Sequence, residues 1–172
     1  MVPDDAPALF AGIGSSRQTL APWLSWIDST LSVDDSRVSI AGFVARWSTR
    51  ADLVYGIFDA ANGAHLGGTG LHRIDWDLRA FEIGYWLRSS AVGHGYMTEA
   101  VRELTRMAFG ELDARRVEIR LGPANLRSRA IPRRLGFVHE GTLRDSLLDH
   151  RGEVRSTEVY ALVTGDPGVT PA

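Results

Sequence analysis

A glycine turn lies directly between a strand-like and a helix-like segment of this 172-residue chain. Gly93 and Gly95 allow the backbone to turn tightly without Cβ clashes, and the helix-like segment begins near Tyr96. A helix that begins there directs its free N–H groups and the positive end of its dipole at the turn. The sequence therefore predicts an anion site formed by the backbone of residues 92–97. A plain connection between a strand and a helix is the alternative.

Polar residues that suit a phosphate-bearing ligand form a second group. Asn125 and Ser128 stand three residues apart at a predicted helix start, where capping is their ordinary role. Seven arginines and a single acidic residue, Glu118, lie between positions 115 and 134. This excess of positive charge suits phosphate binding. A solvated helix face or a surface for an acidic partner is the alternative. The arginines are Arg115, Arg116, Arg120, Arg127, Arg129, Arg133 and Arg134.

Glu82 is the carboxylate nearest to these segments on a predicted strand. Along residues 81–88, alternation turns Glu82, Gly84 and Trp86 to one face and the residues between them to the other. Glu82 is therefore a candidate general base, with an ion pair to an arginine as the alternative. Gly84 inside a strand indicates a bulge or a close backbone approach.

The apolar spacing predicts a mixed α/β fold in which these residues are held by strands and helices. Predicted helices cover residues 6–13, 20–31, 33–50, 97–110 and a shorter segment from Leu126, in which Pro132 should cause a kink beside Ser128. Predicted strands cover residues 53–59, 65–74, 80–88, 117–121, 137–148 and 154–163, with a turn at residues 150–152 between the last two. The first three strands form an antiparallel meander, and a right-handed crossover makes the next one parallel to its predecessor.

Composition indicates one domain over residues 1–163 and a disordered tail over residues 164–172. The net charge of −2 gives no global attraction to nucleic acid or to an anionic membrane, and no signal peptide or membrane span is apparent. The chain has no cysteine, which excludes disulfides, thiolate metal sites and an acyl-cysteine intermediate. No histidine pair has metal-ligand spacing, so no metal is predicted.

Four strings of the chain together resemble the RimJ/RimL branch of the GNAT acetyltransferase superfamily. They are Glu82-Ile-Gly-Tyr-Trp-Leu, Gly95-Tyr-Met-Thr-Glu-Ala, Asn-x-x-Ser from Asn125, and Leu-Gly-Phe-x-x-Glu-Gly from Leu135. The resemblance covers roughly residues 5–163 and implies a GNAT fold, with a mixed, mostly antiparallel sheet flanked by helices. It also implies a cytoplasmic, bacterial enzyme that transfers acetyl from acetyl-coenzyme A to a primary amine by direct attack. The acceptor would be a protein N-terminus or a small amine.

The resemblance also implies roles for particular residues. Main-chain N–H groups of Tyr85, Trp86 and Leu87 would bind the thioester and the pantetheine arm. Asn125 would touch that arm, and Ser128 would lie near the sulfur as a donor for the leaving thiolate. The charge of the arginine patch, which includes Arg133, suits the 3′-phosphate and adenosine end of coenzyme A. The pyrophosphate would lie on the backbone of Val92, Gly93, His94, Gly95, Tyr96 and Met97. Relatives carry Arg or Gln at position 92 and Gly or Ala at position 97, so the match is weaker there.

Some points stay open at this stage. Family members have an additional strand before the position of Asp5, and its absence would bare one sheet edge unless the start is misassigned. There are three alternative functions: transfer from a succinyl-coenzyme A donor, a catalytically silent acyl-coenzyme A-binding module, and a protein-interaction domain. A homodimer is compatible with the sequence.

A Rossmann site is disfavoured because Thr98 occupies the third glycine position. Leu147 lies where some relatives carry a glutamate base, so we expect α-amines to be preferred over lysine side chains.

Overall fold

The computed structural model describes residues 1–149 and 151–169, and it places four α-helices and six strands there. The helices are α1 (Ala6–Leu20), α2 (Val33–Ser48), α3 (Tyr96–Glu111) and α4 (Leu126–Arg134). The strands are β1 (Leu53–Phe58), β2 (His65–Asp75), β3 (Ala80–Leu87), β4 (Arg116–Leu121), β5 (Val138–Leu148) and β6 (Val154–Val163). From α2 onward these bounds agree with the predicted elements to within two residues.

The N-terminal helices differ from the prediction. Helix α1 continues to Leu20, and the predicted helix over residues 20–31 is wrong, because only a short 3₁₀ segment, Ser25–Ser29, forms there. Pro22 lacks an N–H group and follows the C-cap residue, so the helix cannot continue. The Arg17 guanidinium donates to the carbonyls of Ile27 and Thr30 and ties this loop to α1.

The strands form one mixed sheet in the order β1-β2-β3-β4-β6-β5, which confirms the predicted fold class. Strands β1, β2 and β3 are the antiparallel meander, and β4 pairs parallel with β3 after the α3 crossover. Strand β6 then pairs antiparallel with both β4 and β5. Among the described residues no strand precedes β1, which forms one edge.

The two faces of the sheet are covered by different helices. The Tyr85 face, which carries Phe81, Ile83 and Tyr85 of β3, packs against α3 in the larger core. The Glu82 face, which carries Glu82, Gly84 and Trp86, packs through Trp86 against the smaller core of α1 and α2. Helices α1 and α2 contact β2 and β1 respectively, so their cover lies at the β1 end of this face.

Strands β3 and β4 pair over a very short distance. Three consecutive pairs join them, the last being Glu82 with Glu118, and the remaining residues of both strands diverge. We call the resulting gap the wedge, bounded by residues 83–87 and 119–121. The bulge predicted at Gly84 is not seen towards β2, because the β2–β3 register is regular from Glu82 to Leu87.

The C-terminal segment differs from the predicted disordered tail. Thr164 donates through N–H and Oγ1 to the carbonyls of Arg115 and Ala114, and Val169 packs against the larger core. Residues 170–172 lie outside the described residues, as does His150 of the predicted β5–β6 turn. None of the helices described is long and apolar enough to cross a membrane.

Candidate active site

The glycine turn before α3 has the conformation that an anion site needs. Gly93 and Gly95 have φ angles of +93° and +87°, and Gly95 is the N-cap residue of α3. Apart from the chain neighbours, a Cβ atom on either glycine would meet no atom of the described residues within 4 Å, so there is open space beside the turn. The first N–H groups of α3 have no acceptor within the helix and point into this space. The turn therefore has the backbone conformation that the predicted cradle requires, and anion binding there stays a prediction.

The side chains of residues 92–97 contribute little to this cradle. Val92 is 39% exposed, whereas Met97 is buried in the larger core, so the substitutions at these two positions leave the backbone donors unchanged. The His94 ring stacks on Tyr96, with ring centroids 5.7 Å apart and planes at 22°.

The wedge exposes main-chain donors of β3. The Arg88 N–H donates to the carbonyl of Leu66 in β2, so even-numbered residues of β3 direct their polar groups to β2. The N–H groups of Tyr85 and Leu87 consequently point to the side from which β4 has diverged. The same alternation turns the Trp86 N–H to β2, so Trp86 is not a main-chain donor here, contrary to the expectation.

Tyr85 and Ser128 connect β3, on one side of the wedge, to α4. The Ser128 hydroxyl donates to the Tyr85 hydroxyl over 3.1 Å, and the Tyr85 hydroxyl donates to the Ser128 carbonyl, also over 3.1 Å. That carbonyl needs a donor because Pro132, four residues on, has no N–H group. Helix α4 is continuous through Pro132, and Tyr85 supplies the missing hydrogen bond.

Burial also sets the protonation of Tyr85. It raises the pKa of the Tyr85 hydroxyl to about 12, and the hydrogen bond from Ser128 only partly offsets this rise. Tyr85 therefore remains protonated at neutral pH. The Tyr85–Ser128 pair can supply a hydroxyl proton at the point where the two strands separate.

Asn125 has the predicted capping position on α4, whereas the predicted arginine cluster is divided between two faces of the sheet. Asn125 caps α4, with its side-chain oxygen accepting from the Ser128 N–H over 3.1 Å. The arginines do not form one patch, because Arg116 and Arg120 lie on the Glu82 face, while Arg129 pairs with the buried Glu158 at 3.0 Å. Arg133 is exposed and forms no ion pair among the described residues.

Glu82 is part of an ion-pair ladder across the Glu82 face. Its carboxylate lies 3.5 Å from Arg73 of β2 and 3.5 Å from Arg120 of β4. The ladder continues through Glu118 and Arg116 to Glu140 of β5. Both contacts of Glu82 are long, and its buried Oε2 atom has no hydrogen-bond partner among the described residues.

The electrostatic environment of Glu82 favours proton uptake. Burial raises the pKa of this carboxyl above its ordinary value, against the opposing effect of Arg73 and Arg120. A carboxylate with a raised pKa is a better base near neutral pH than an exposed one. The geometry is thus compatible with both roles considered for Glu82, base and ion-pair partner.

Tryptophans border the wedge on the Glu82 face. Trp26 packs edge-on against Trp86, with ring centroids 6.1 Å apart, and remains 41% exposed. Trp23 is 44% exposed and approaches Gly122 at the end of β4, where a Cβ atom would lie 3.4 Å from its ring. The loop after α1 therefore places two exposed indoles at the wedge mouth.

Sequence reasoning missed two contributions to this site. The prediction used only the main-chain N–H group of Tyr85 and gave its hydroxyl no role. A partner for that hydroxyl was foreseeable, because Pro132 leaves the Ser128 carbonyl without a helical donor. His72 was not singled out, although it lies directly opposite Glu82 in the β2–β3 register. Within residues 1–149 and 151–169, no group of three or more His, Cys, Asp or Glu residues is placed to hold a metal ion.

The chain matches a known protein family over most of its length. The family model described as "Acetyltransferase (GNAT) domain" matches residues 1–138. The "Putative ribosomal N-acetyltransferase YdaF" of Bacillus subtilis (strain 168) is 36% identical over 147 residues, or 84% of this chain and 79% of that protein. The "Ribosomal-protein-serine acetyltransferase" of Escherichia coli (strain K12) is 27% identical over 138 residues, or 80% and 76%.

Solved structures have the same fold. RimL, titled a ribosomal L7/L12 alpha-N-protein acetyltransferase in complex with coenzyme A, superimposes with a TM-score of 0.89 at 24% identity, covering 95% of this chain and 90% of that one. Mycobacterium smegmatis RimJ, in complex with a coenzyme A disulfide, gives 0.88 at 25% identity, covering 98% and 81%. The chain belongs to the GNAT acetyltransferase family, and it is an N-acetyltransferase that uses acetyl-coenzyme A.

The glycine turn provides a direct test of coenzyme A binding. Gly95→Asp should lower coenzyme A affinity at least about 10-fold more than Gly95→Asn, because the aspartate adds a negative charge beside the pyrophosphate. Asp and Asn tolerate positive φ and cap helices comparably, so both variants should fold. Isothermal titration calorimetry measures the difference, and thermal unfolding serves as the control. Equal affinities of the two variants would contradict the phosphate cradle.

Proposed function

We propose that this acetyltransferase acts in the bacterial cytoplasm on the N-terminal α-amine of a protein or peptide. The observation that carries the proposal is the wedge, where the Tyr85–Ser128 pair lies on one face of the sheet and Glu82 on the other. Acetyl-coenzyme A would bind with its pyrophosphate at residues 92–97 and its thioester beside the N–H groups of Tyr85 and Leu87. The names of its relatives support a ribosomal protein as the acceptor.

The acceptor would approach from the Glu82 face. Trp23 and Trp26 offer exposed aromatic surface at the wedge mouth, and Arg116 and Arg120 lie beyond them on β4. An extended peptide end can lie along such a surface, since indole rings contact both backbone and side chains. The Tyr85–Ser128 pair, on the opposite face, would then meet the sulfur.

The reaction would proceed by direct attack. The amine nitrogen forms a bond to the thioester carbon, while the main-chain donors of β3 stabilise the negative charge on the carbonyl oxygen. The carbon–sulfur bond breaks, and the thiolate leaves with the electron pair, stabilised by a hydrogen bond from the Ser128 hydroxyl that Tyr85 orients. The second proton of the nitrogen passes to the thiolate, which leaves a neutral amide and a thiol. Glu82 would favour loss of the amine proton. Asn125 would hold the pantetheine arm, and Arg133 the 3′-phosphate.

The cost of deprotonation favours α-amines as acceptors. At pH 7 a lysine-type amine must pay about 4–5 kcal/mol to lose its proton, but a peptide α-amine only about 1–1.4 kcal/mol. We expect acetylation of N-terminal peptides and little of lysine side chains when peptides with free or blocked N-termini are incubated with acetyl-coenzyme A. Mass spectrometry locates the acetyl group. Modification confined to lysine side chains or small amines would overturn the proposed acceptor.

The same assay distinguishes the remaining alternatives. Succinyl-coenzyme A, supplied in a parallel reaction, should give less product than acetyl-coenzyme A. A chain that binds coenzyme A in calorimetry but modifies no amine of the panel would instead be a silent binding module.

Substitution of two carboxylates of the ladder distinguishes a catalytic role of Glu82 from a role in ion pairing alone. Glu82→Gln should lower kcat by about 10- to 1,000-fold, at or below the range usual for a general base. Glu140→Gln, at the far end of the ladder, should change kcat less than about twofold. Because the Glu82 pKa is raised, wild-type kcat/KM should rise as pH increases through that pKa, and this rise should weaken in Glu82→Gln. Equal effects of the two substitutions would return Glu82 to a structural role.

A further inference from the structure

The Glu82 face contains a floor of glycines beside the wedge. Gly68, Gly70 and Gly84 lie on neighbouring positions of β2 and β3, with Gly70 and Gly84 paired directly. Two rings lie on this floor. The Trp86 indole Nε1 would be 2.8 Å from a Cβ atom on Gly68, and the His72 ring would be 2.9 Å from one on Gly84. Side chains at these glycines would displace both rings.

His72 is held in a defined orientation on this floor. Its Nδ1 atom lies 3.2 Å from a carboxylate oxygen of Asp52, and the other oxygen of Asp52 accepts from Arg46 Nε over 2.7 Å. A carboxylate at Nδ1 keeps the proton on that nitrogen and leaves the lone pair on Nε2. His72 Nε2 has no hydrogen-bond partner among the described residues and would lie 3.2 Å from a Cβ atom on Gly84.

The imidazole is better placed than Glu82 to exchange protons at the wedge. His72 pairs with Glu82 in register, but its ring leans towards Gly84, which is nearer to the donors of Tyr85 and Leu87. Adjacent positions on one face of a strand are about 6.8 Å apart, so this lean is a substantial step along the strand. The His72 side chain is 35% exposed, whereas that of Glu82 is 18% exposed and lies between two arginines.

We propose that His72, oriented by Asp52, accepts the proton of the acceptor amine during acetyl transfer. Its Nε2 takes the proton that the ammonium group must lose, directly or through one water. The nitrogen lone pair then forms the bond to the thioester carbon, and the sulfur leaves with the electron pair of the broken bond. The thiolate takes up the second proton of the nitrogen, so that the products are the amide, the thiol and one proton on the imidazole. The imidazolium releases its proton to solvent through its exposed edge. This inference rests on the proposed function.

The charged groups around His72 favour this role. Asp52 and Glu82 face the ring from the segment before β1 and from β3, so two carboxylates lie beside the imidazole. Arg46 acts on His72 through Asp52, and Arg73 and Arg120 act through Glu82. Glu82 then contributes negative potential beside the proton acceptor, which is consistent with a loss of turnover in Glu82→Gln. Imidazole is the side chain that ordinarily gains and loses a proton near neutral pH.

The test compares His72→Gln, Asp52→Asn and the control His139→Gln in the acetylation assay. His72→Gln should lower kcat about 100-fold and remove the part of the rise of kcat/KM with pH that remains in Glu82→Gln, with coenzyme A affinity unchanged within about twofold. Asp52→Asn should lower kcat less, about 10-fold, because it disturbs only the orientation of the ring. His139→Gln, on β5, should leave the pH–rate profile unchanged.

Chemical rescue separates proton transfer from a structural role. Free imidazole should restore part of the kcat of His72→Ala, since the site is open to solvent, and it should not accelerate the wild type. Unchanged pH–rate profiles in His72→Gln, or the absence of rescue in His72→Ala, would overturn the role of His72. If His72→Gln does not fold, the rescue experiment and Asp52→Asn decide the question.

Failure of the proposed function would look different. In that case the wild type would acetylate no peptide of the panel. Slow hydrolysis of acetyl-coenzyme A without an acceptor, measured as thiol release, would then take the place of the transfer assay, because water needs the same proton acceptor. Hydrolysis that His72→Gln leaves unchanged would contradict the inference, and hydrolysis lowered in proportion would support it.

Discussion

The divergence of β3 from β4 after the Glu82–Glu118 pair is the constraint on which the site depends. A parallel pair that stayed closed would use the N–H groups of Tyr85 and Leu87 in its own ladder. Because the strands separate, these groups have no strand partner in the part of the chain that the structure describes, and they can donate to a carbonyl oxygen of a ligand. Helix α3 begins at the same end of the sheet, so its N-terminal donors face the same ligand.

Separation of the strands must be stabilised from elsewhere, since it forfeits ladder hydrogen bonds. The Tyr85–Ser128 contact ties β3 to α4 across the gap, and Pro132 makes this contact necessary by leaving the Ser128 carbonyl without a helical donor. Arg129 anchors the same helix to the buried Glu158 of β6. A proline that costs local helix stability thereby fixes the hydroxyl pair that we propose as the donor to the leaving thiolate.

The sequence predicted the fold well and the site in part. Strand alternation and the α3 stripe are local signals, so the strands and α3 agreed with the structure, and the glycine turn was recognisable because positive φ favours glycine. The loop between Leu20 and Leu31 was predicted as a helix, because its apolar spacing outweighed the stop signal of Pro22. The predicted arginine cluster does not form, because side-chain alternation on β4 and helical rotation on α4 turn neighbouring arginines to different faces. His72 could be linked to Glu82 only once the strand register was known.

Amide hydrogen exchange of the free and coenzyme A-bound protein tests the central role of the wedge most directly. In the free protein, the Tyr85 and Leu87 amides should exchange faster than that of Trp86, which donates within the β2–β3 ladder. Saturating acetyl-coenzyme A should protect Tyr85 and Leu87 together with the first amides of α3, and leave Trp86 nearly unchanged. Bound acetyl-coenzyme A with no added protection at Tyr85 and Leu87 would contradict a thioester held in the wedge.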